Sequence, residues 1–428
     1  MGISWLCLVS VAISLIFVID PYTGIQVVDG ESSFPMPIFT LNFARAFEDG
    51  DQNVRLENVS DSDALLNSAL KLHSLGKLPD AIDMYDKVLA IEPKNIIALL
   101  NKGQALHSLG NLSLGNLSDA IESYDKVLAI EPKNINALNN IGSAYHKLGK
   151  YQTAIRYYDK VLDIDANFVR TLFNKGEALD IQGKDQDALK LYDRVLDIDG
   201  NNINALNNKG NALHDLGRNQ EAIVLFDKLL AKNASNVNAL NNKGWTLVSM
   251  GDYKGAYESI DKALKLKPND ASIIDSMAVT LDRLGKHHRA IQLFDDALRI
   301  DRNNSASLNN KGIAVANLGR YHDAVSLFDE ALAKISSEDA LRLDVISNKA
   351  FVLGLELNEY DKALKLTEAL LLQHSNHKGL ICATLEIYNV TGYVGISDYY
   401  QKNLTQLDPN YQCELIELQS GIEKEAFV

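Results

Sequence analysis

The 428-residue chain is short of most residue patterns that carry chemistry. It has three cysteines and two tryptophans, and 42 Lys and Arg stand against 56 Asp and Glu. No Gly-rich phosphate loop followed by Lys-Ser/Thr is present, nor a His-Glu-x-x-His, a paired-cysteine motif or a Gly-x-Ser-x-Gly elbow. These absences exclude the common phosphate cradles, zinc sites and nucleophile turns. The formal net charge of −14, with no basic stripe, argues against nucleic acid as a partner. No enzyme activity, cofactor or metal is expected.

What is abundant is repetition. The phrase Asn-Ala-Leu-Asn-Asn-Lys-Gly stands in full at Asn204–Gly210 and Asn238–Gly244, with near-copies at Ile97–Gly103, Asn136–Gly142, Arg170–Gly176 and Ala306–Gly312. The period is 34 residues, which means a stack of identical supersecondary units rather than one globular core. Units one to eight start at Ser62, Ile96, Ile135, Val169, Ile203, Val237, Ala271 and Ser305. Position 8 is then Gly in six units and Ala69 or Ala278 in the others, and position 20 is always Ala, from Ala81 to Ala324. Position 15 is Gly at Gly76, Gly149, Gly183, Gly217, Gly251, Gly285 and Gly319, the left-handed stop that ends a helix. Apolar residues at 4 and 11, then at 24, 27 and 28, keep helical spacing on either side of that stop. Each unit therefore reads as two helices of about fourteen residues joined by a tight turn.

These columns resemble the tetratricopeptide repeat: small at 8, Gly at 15, small at 20, aromatic at 24 and Pro at 32. The aromatic is Tyr85, Tyr124, Tyr158, Tyr192, Phe226, Phe294 and Phe328, with Ile260 as the exception, whereas the proline stands only at Pro93, Pro132, Pro268 and Pro409. The resemblance covers residues 62–411 as about ten units and implies an all-α fold, a right-handed α-solenoid superhelix of helix-turn-helix repeats. A duplication, Leu109–Ser113 followed by Leu114–Ser118, is expected to lengthen the turn of unit two. A second extra segment around Asp339–Leu343 separates unit eight from unit nine. Unit nine (Asp344–His377) has lost Gly at 8 and the aromatic at 24, and unit ten (Lys378–Tyr411) is degenerate. Residues 412–428 are expected to form a capping helix, Gln412–Ile422, and a tail.

In arrays of this family the first helices line a concave groove, with positions 2, 5, 6, 9, 12 and 13 facing it. Position 6 holds Asn101, Asn140, Asn174, Asn208, Asn242 and Asn310, and position 5 adds Asn139, Asn207, Asn241 and Asn309. A carboxamide offers an acceptor and two donors, so such a ladder could grip an extended polypeptide regardless of its side chains. It resembles the asparagine ladder of O-linked N-acetylglucosamine transferases; the other reading is that these residues bond neighbouring helices. Positions 9 and 12 are polar in units two to five and, apart from Asp282, turn apolar from unit six, with Trp245, Val248, Val279 and Ile313. Those four are either an exposed anchor for a partner or packing between first helices. His73, His107, His146 and His214 all fall at position 12, a hydrogen-bonding column too widely spaced for zinc. His287 and His288 read as solvated turn residues, and Asp at position 25 as part of a solvated charged face. Position 5 carries no Lys in the early units, so the carboxylate clamp of chaperone-binding members is not expected.

The N-terminus is different in kind. Ile3–Ile19 is uncharged, spanning roughly 26 Å as a helix against a ~30 Å hydrocarbon core. Residues 1–19 read as a signal peptide or membrane anchor, residues 20–61 as a linker with one short helix near Leu41–Phe47, and a cytoplasmic location as the alternative. Seven sequons, among them Asn233, Asn303, Asn389 and Asn403, favour export, whereas Cys382 and Cys413 read first as buried free thiols with pairing as the alternative. The expected function is a protein-interaction scaffold holding an extended polypeptide in its groove, outside the cytoplasmic membrane. Membrane contact is expected through the N-terminal segment only, and the oligomeric state is left open. The alternatives are a structural part of an envelope or secretion assembly and a substrate-recruiting partner of a separate glycosyltransferase.

Overall fold

A computed structural model describes residues 17–20, 24–27, 61–110, 114–336, 341–409 and 411–413. The chain divides into two compact units, Met1–Ser68 and Ala69–Val428. The first contains an antiparallel pair of short strands, β1 (Phe17–Asp20) and β2 (Gly24–Val27), with Phe17 opposite Val27 and Asp20 opposite Gly24. The apolar run Ile3–Ile19 is thus described only at its end, in β1. Among the described residues no helix is long and apolar enough to cross a membrane. The helix expected near Leu41–Phe47 and residues 414–428 of the expected cap lie outside the described residues; residues 411–413 are not helical.

Among the described residues, the helices after residue 76 alternate as first and second members of the repeat units, each packing on the next. The starts of the first helices have a cause that the column reading did not single out. Position 34 is Asn95, Asn134, Asn202, Asn236 and Asn304, and each side-chain oxygen accepts the backbone N–H three residues on at 2.9–3.0 Å. An N-cap of this kind is worth about 1 kcal/mol. Unit four starts after Phe168, which has no side chain to cap with. The stops are as expected: all seven position-15 glycines sit at φ between 68° and 77°. In unit nine Asn358 takes that role at φ 55°, being the residue type after glycine that tolerates the left-handed region best.

The two helices of a unit close on one another through position 8. A Cβ on Gly210 would lie 2.6 Å from the Phe226 ring, and one on Gly176 would lie 2.7 Å from the Tyr192 ring. The missing side chain is the space into which the position-24 aromatic fits; Tyr85, Tyr124, Tyr158, Tyr192, Phe226, Phe294 and Phe328 are all fully buried. Consecutive units are joined by a second, polar device. Lys at position 7 pairs with Asp at position 25 of the preceding unit: Lys102 with Asp86, Lys175 with Asp159, Lys209 with Asp193, Lys243 with Asp227 and Lys311 with Asp295. Position 25 is therefore an inter-unit contact and not only a solvated face. Where position 7 is Ile141 or Met277 the aspartate changes role. Asp261 turns to Lys265 on its own helix, and burial raises the Asp125 carboxyl above its ordinary value against the pull of Lys160.

Four local expectations are corrected. The duplication in unit two does not simply lengthen the turn, because its second copy is wound into a 17-residue second helix, Leu114–Ile130. The segment before unit nine is partly helical, since the helix begins at Leu341. Unit nine also keeps a small residue at position 8 once its register moves by one: Ala350 is fully buried, Lys349 pairs with Asp329, and Asn348 stands in the asparagine column. A π turn at Val352–Glu356 absorbs the extra residue. Finally, Cys382 and Cys413 are joined in a disulfide with their Cα atoms 5.5 Å apart, rather than standing as free thiols.

Candidate binding surface of the first helices

The first helices of consecutive units pack against each other, and this decides what their columns can do. Position 5 and 6 asparagines end up between the helices. Asn139, Asn174, Asn207, Asn208, Asn241, Asn242, Asn309 and Asn310 are all buried, and only Asn101 and Asn140 are half-exposed. Their carboxamides are spent internally. Asn242 Nδ2 donates to Asn207 Oδ1 at 3.2 Å, Asn208 Nδ2 to Glu177 Oε1 at 3.3 Å, and Asn310 Nδ2 to Asp275 Oδ2 at 3.3 Å. Asn139 Oδ1 accepts Thr171 Oγ1–H at 2.8 Å, and Asn348 Nδ2 donates to Asn309 Oδ1 at 2.8 Å. Asn101 donates to Ile97 O of its own helix at 2.8 Å. Burial raises the phenol pKa of Tyr124, Tyr158 and Tyr192, and Asn140, Asn174 and Asn208 oppose that rise at one hydroxyl each. Through these bonds the ladder ties unit to unit, which matches the reading that the asparagines bond neighbouring helices, while the buried Asn241 Oδ1 is left without a partner.

Of the two readings of the apolar column, packing between first helices is the one that burial favours. Trp245, Val248 and Val279 belong to one buried cluster with Met277 and Phe294, and Ile313 to the next with Phe328 and Val345. Val279 is fully enclosed and Trp245 is only 7 % exposed. In the histidine column His107 is buried and His73, His146 and His214 are half-buried. His107 lies 3.4 Å from Ser143 Oγ, His214 Nδ1 lies 3.0 Å from Asn219 Oδ1, and His146 sets its ring edge-on to Tyr151. Burial depresses His107 to about 4, helped by the charge of Lys147, and burial alone takes His146 to about 4. His287 is not merely solvated: its Nδ1 lies 2.7 Å from the buried Asp282 carboxylate, which also accepts Asn317 Nδ2 at 2.9 Å. Among the described residues no group of three His, Cys, Asp or Glu is placed to hold a metal.

Position 2 remains open. It carries Ile97, Asn136, Arg170, Asn204, Asn238 and Ser272 in units two to seven, all at least partly exposed. Arg170 is the informative member. Burial lowers its guanidinium pKa, yet among the described residues it has no ion-pair or hydrogen-bond partner. Further along, Val237, Asn238, Asn241, Asn242, Asp270, Ser272 and Ile273 line a small recess at the start of units six and seven. Asn241 Oδ1 in its wall is buried and accepts no hydrogen bond. Position 2 was counted in the groove by its place in the repeat. That it would be the open column could not be read from the sequence, because burial of its neighbours depends on how closely the first helices stack.

A solenoid of helix pairs, closed by a small-against-aromatic contact and tied unit to unit by asparagines, defines a helical-repeat scaffold. The chain belongs to the tetratricopeptide-repeat family: family models described as TPR repeat match residues 69–110 and 112–149, models described as tetratricopeptide repeat match 135–168 and 191–224, and one described as the N-terminal TPR repeats region of Psidin matches 211–380. Among solved structures, a tetratricopeptide repeat protein from Parabacteroides merdae ATCC 43184 is 19 % identical, covering 59 % of this chain and 98 % of that one at a TM-score of 0.51. That likeness shows the fold. MamA from Desulfovibrio magneticus RS-1 aligns at 21 % identity over 40 % of this chain and 97 % of its own, with a TM-score of 0.34. YrrB, described as a TPR protein with an unusual peptide-binding site, aligns at 21 % identity over 43 % of this chain and 94 % of its own, with a TM-score of 0.31. No curated protein sequence matches the chain. These matches lend no support to the likeness with O-linked N-acetylglucosamine transferases.

Proposed function

We propose that the array is a protein-interaction scaffold that holds an extended polypeptide along the position-2 column of its first helices. The observation that carries this reading is Arg170. A guanidinium partly withdrawn from water, in a chain of net charge −14, loses hydration and gains no carboxylate in return. An acidic side chain on a bound segment would complete it. Asn136 and Asn204 flank Arg170 in the same column and offer amide donors and acceptors to the backbone of such a segment. The recess beside Asn241 offers an acceptor for a donor further along.

The reading includes a location outside the cytoplasmic membrane. It is supported by the Cys382–Cys413 disulfide, a bond that persists in oxidising compartments, by the uncharged run Ile3–Ile19, and by exposed sequon asparagines at Asn233, Asn303 and Asn389. Probing the full chain against an array of extended peptides that differ only in Asp, Asn or Lys content tests the groove. Preference for the acidic series, lost in Arg170→Gln, is expected; a preference unchanged by that substitution would remove Arg170 from the surface. Protease protection on intact cells together with the N-terminal mass tests the location.

A further inference from the structure

Positions 16, 19 and 22 of the repeat lie on the outer side of the second helix. In unit four they are Lys184, Asp187 and Lys190, and in unit nine Glu359, Lys362 and Lys365; across units one to nine only Val224 and Gly255 break the polar pattern. Unit ten reverses it with Tyr393, Ile396 and Tyr399. Tyr393 and Tyr399 are 60 % and 61 % exposed, and Val394 beside them is 66 % exposed. Contact with a neighbouring unit does not cover these positions elsewhere, since Asp187 and Lys190 are exposed in the middle of the array.

The exposed rings belong to a continuous aromatic platform. Tyr393 meets Tyr388 edge-on at 5.9 Å between centroids, Tyr388 stacks on Tyr400 at 6.1 Å, and Tyr400 meets Tyr399 at 5.3 Å. Glu368 accepts the Tyr388 hydroxyl, and Asp398 stands exposed next to Tyr399. Among the described residues neither carboxylate has a cationic partner.

We propose that this face is a docking surface for a proline-rich segment of a partner protein that carries Lys or Arg. The chemistry favours that occupant in three ways. Tyrosine faces receive pyrrolidine rings with little loss of side-chain freedom, which is how aromatic-lined surfaces take up extended proline-rich chains. A polyproline helix has no internal hydrogen bonds, so its carbonyls are free to accept from the tyrosine hydroxyls. The two acids beside the rings, with no cation of their own, supply the complementary charge for a basic residue. The most exposed rings, Tyr393 and Tyr399, stand at the start of the last helix, Val394–Leu407, while Tyr388 and Glu368 extend the platform onto the two helices before it.

The test is fluorescence anisotropy of the full chain with a labelled ten-residue peptide holding two Pro-x-x-Pro turns and a terminal arginine. Saturable binding is expected, weakened roughly tenfold by Tyr399→Ala and by Tyr393→Ala, as for loss of an aromatic anchor. Glu368→Gln should weaken it less and flatten its dependence on salt. Arg170→Gln should leave it unchanged, which separates this surface from the groove. Equal affinity for a peptide with every proline replaced by alanine would overturn the proposal, as would absence of saturable binding. A doubling of mass in solution that Tyr399→Ala abolishes would assign the face to a second copy of the chain instead and equally overturn it.

Discussion

Units two to five and units six to eight use one backbone to enclose opposite chemistries. In the first group positions 9 and 12 hold His107, Ser143, His146, Glu177, Asn211 and His214 among others; in the second they hold Trp245, Val248, Val279, Ile313 and Ala316, with the buried Asp282 as the polar exception. The apolar side chains are all enclosed, and in the first group His107, Glu177 and Asn211 are enclosed while Ser143, His146 and His214 are half-buried. The contrast teaches that stacking of first helices sets burial, and sequence only chooses what is buried. An apolar interior needs volume and shape alone, whereas a polar interior needs a partner for every atom. The polar group is largely a web of pairs, Glu177 with Asn208, Asn139 with Thr171 and His107 with Ser143, although Asn211 Nδ2 is buried without one.

The largest blow to the contrast should come from the apolar side. Trp245→Ala is expected to cost about 3–5 kcal/mol through lost burial and the cavity left behind. Because a repeat contacts only its neighbours, amide exchange should rise in units five to seven and stay low in unit two. Acid should strike the other side. In the folded chain His107 and His146 keep their pKa near 4, against 6.5 when unfolded, so between those values the unfolded chain binds more protons. Stability of units two and three is therefore full above pH 6.5, falls as the pH drops towards 4 and levels off below. The loss is about 3 kcal/mol for each ring. Amide exchange at pH 7 and pH 4.5 checks this, with units six and eight expected to change least.

A smaller effect is expected from Glu177→Ala, about 1–3 kcal/mol, because Asn208 is left enclosed without its acceptor. Glu177→Gln keeps an acceptor and should restore most of the loss, a comparison read by urea unfolding. The smallest is Lys243→Met, which removes one inter-unit ion pair with Asp227. At most about 1 kcal/mol is expected, as for exposed pairs, and Met277 shows that the array already accepts that side chain at this position. A larger loss would mean that the lysine columns, and not the asparagines, hold the units together.

Much of the architecture was legible in the sequence because the repeat encodes it locally. Gly at 15 marks a left-handed stop wherever it falls, and Gly at 8 with an aromatic at 24 marks one contact repeated in each unit. The Asn column at 34 is equally legible as a cap, and so is the lysine that stands 16 residues after five of the eight position-25 aspartates as an ion-pair partner. The register of unit nine was not legible, since a π turn shifts the columns without changing composition. The candidate surface was least legible of all. Columns 5, 6, 9 and 12 face the groove by count, but the distance between neighbouring first helices decides whether they reach it.

By itself, then, the sequence determined the unit: its two helices, its caps and stops, and the small residue facing the large one. Those are contacts within some forty residues, and each carries its own signature. Only the tertiary structure decided which polar groups are spent on the stack and which are left for a partner. Asn208 and Arg170 sit in one repeat phrase or its near-copy, yet one is enclosed against Glu177 and the other stands in the open column. The physical reason is that burial arises between units, where the stacking of separate helices, and no residue type, sets what water can reach.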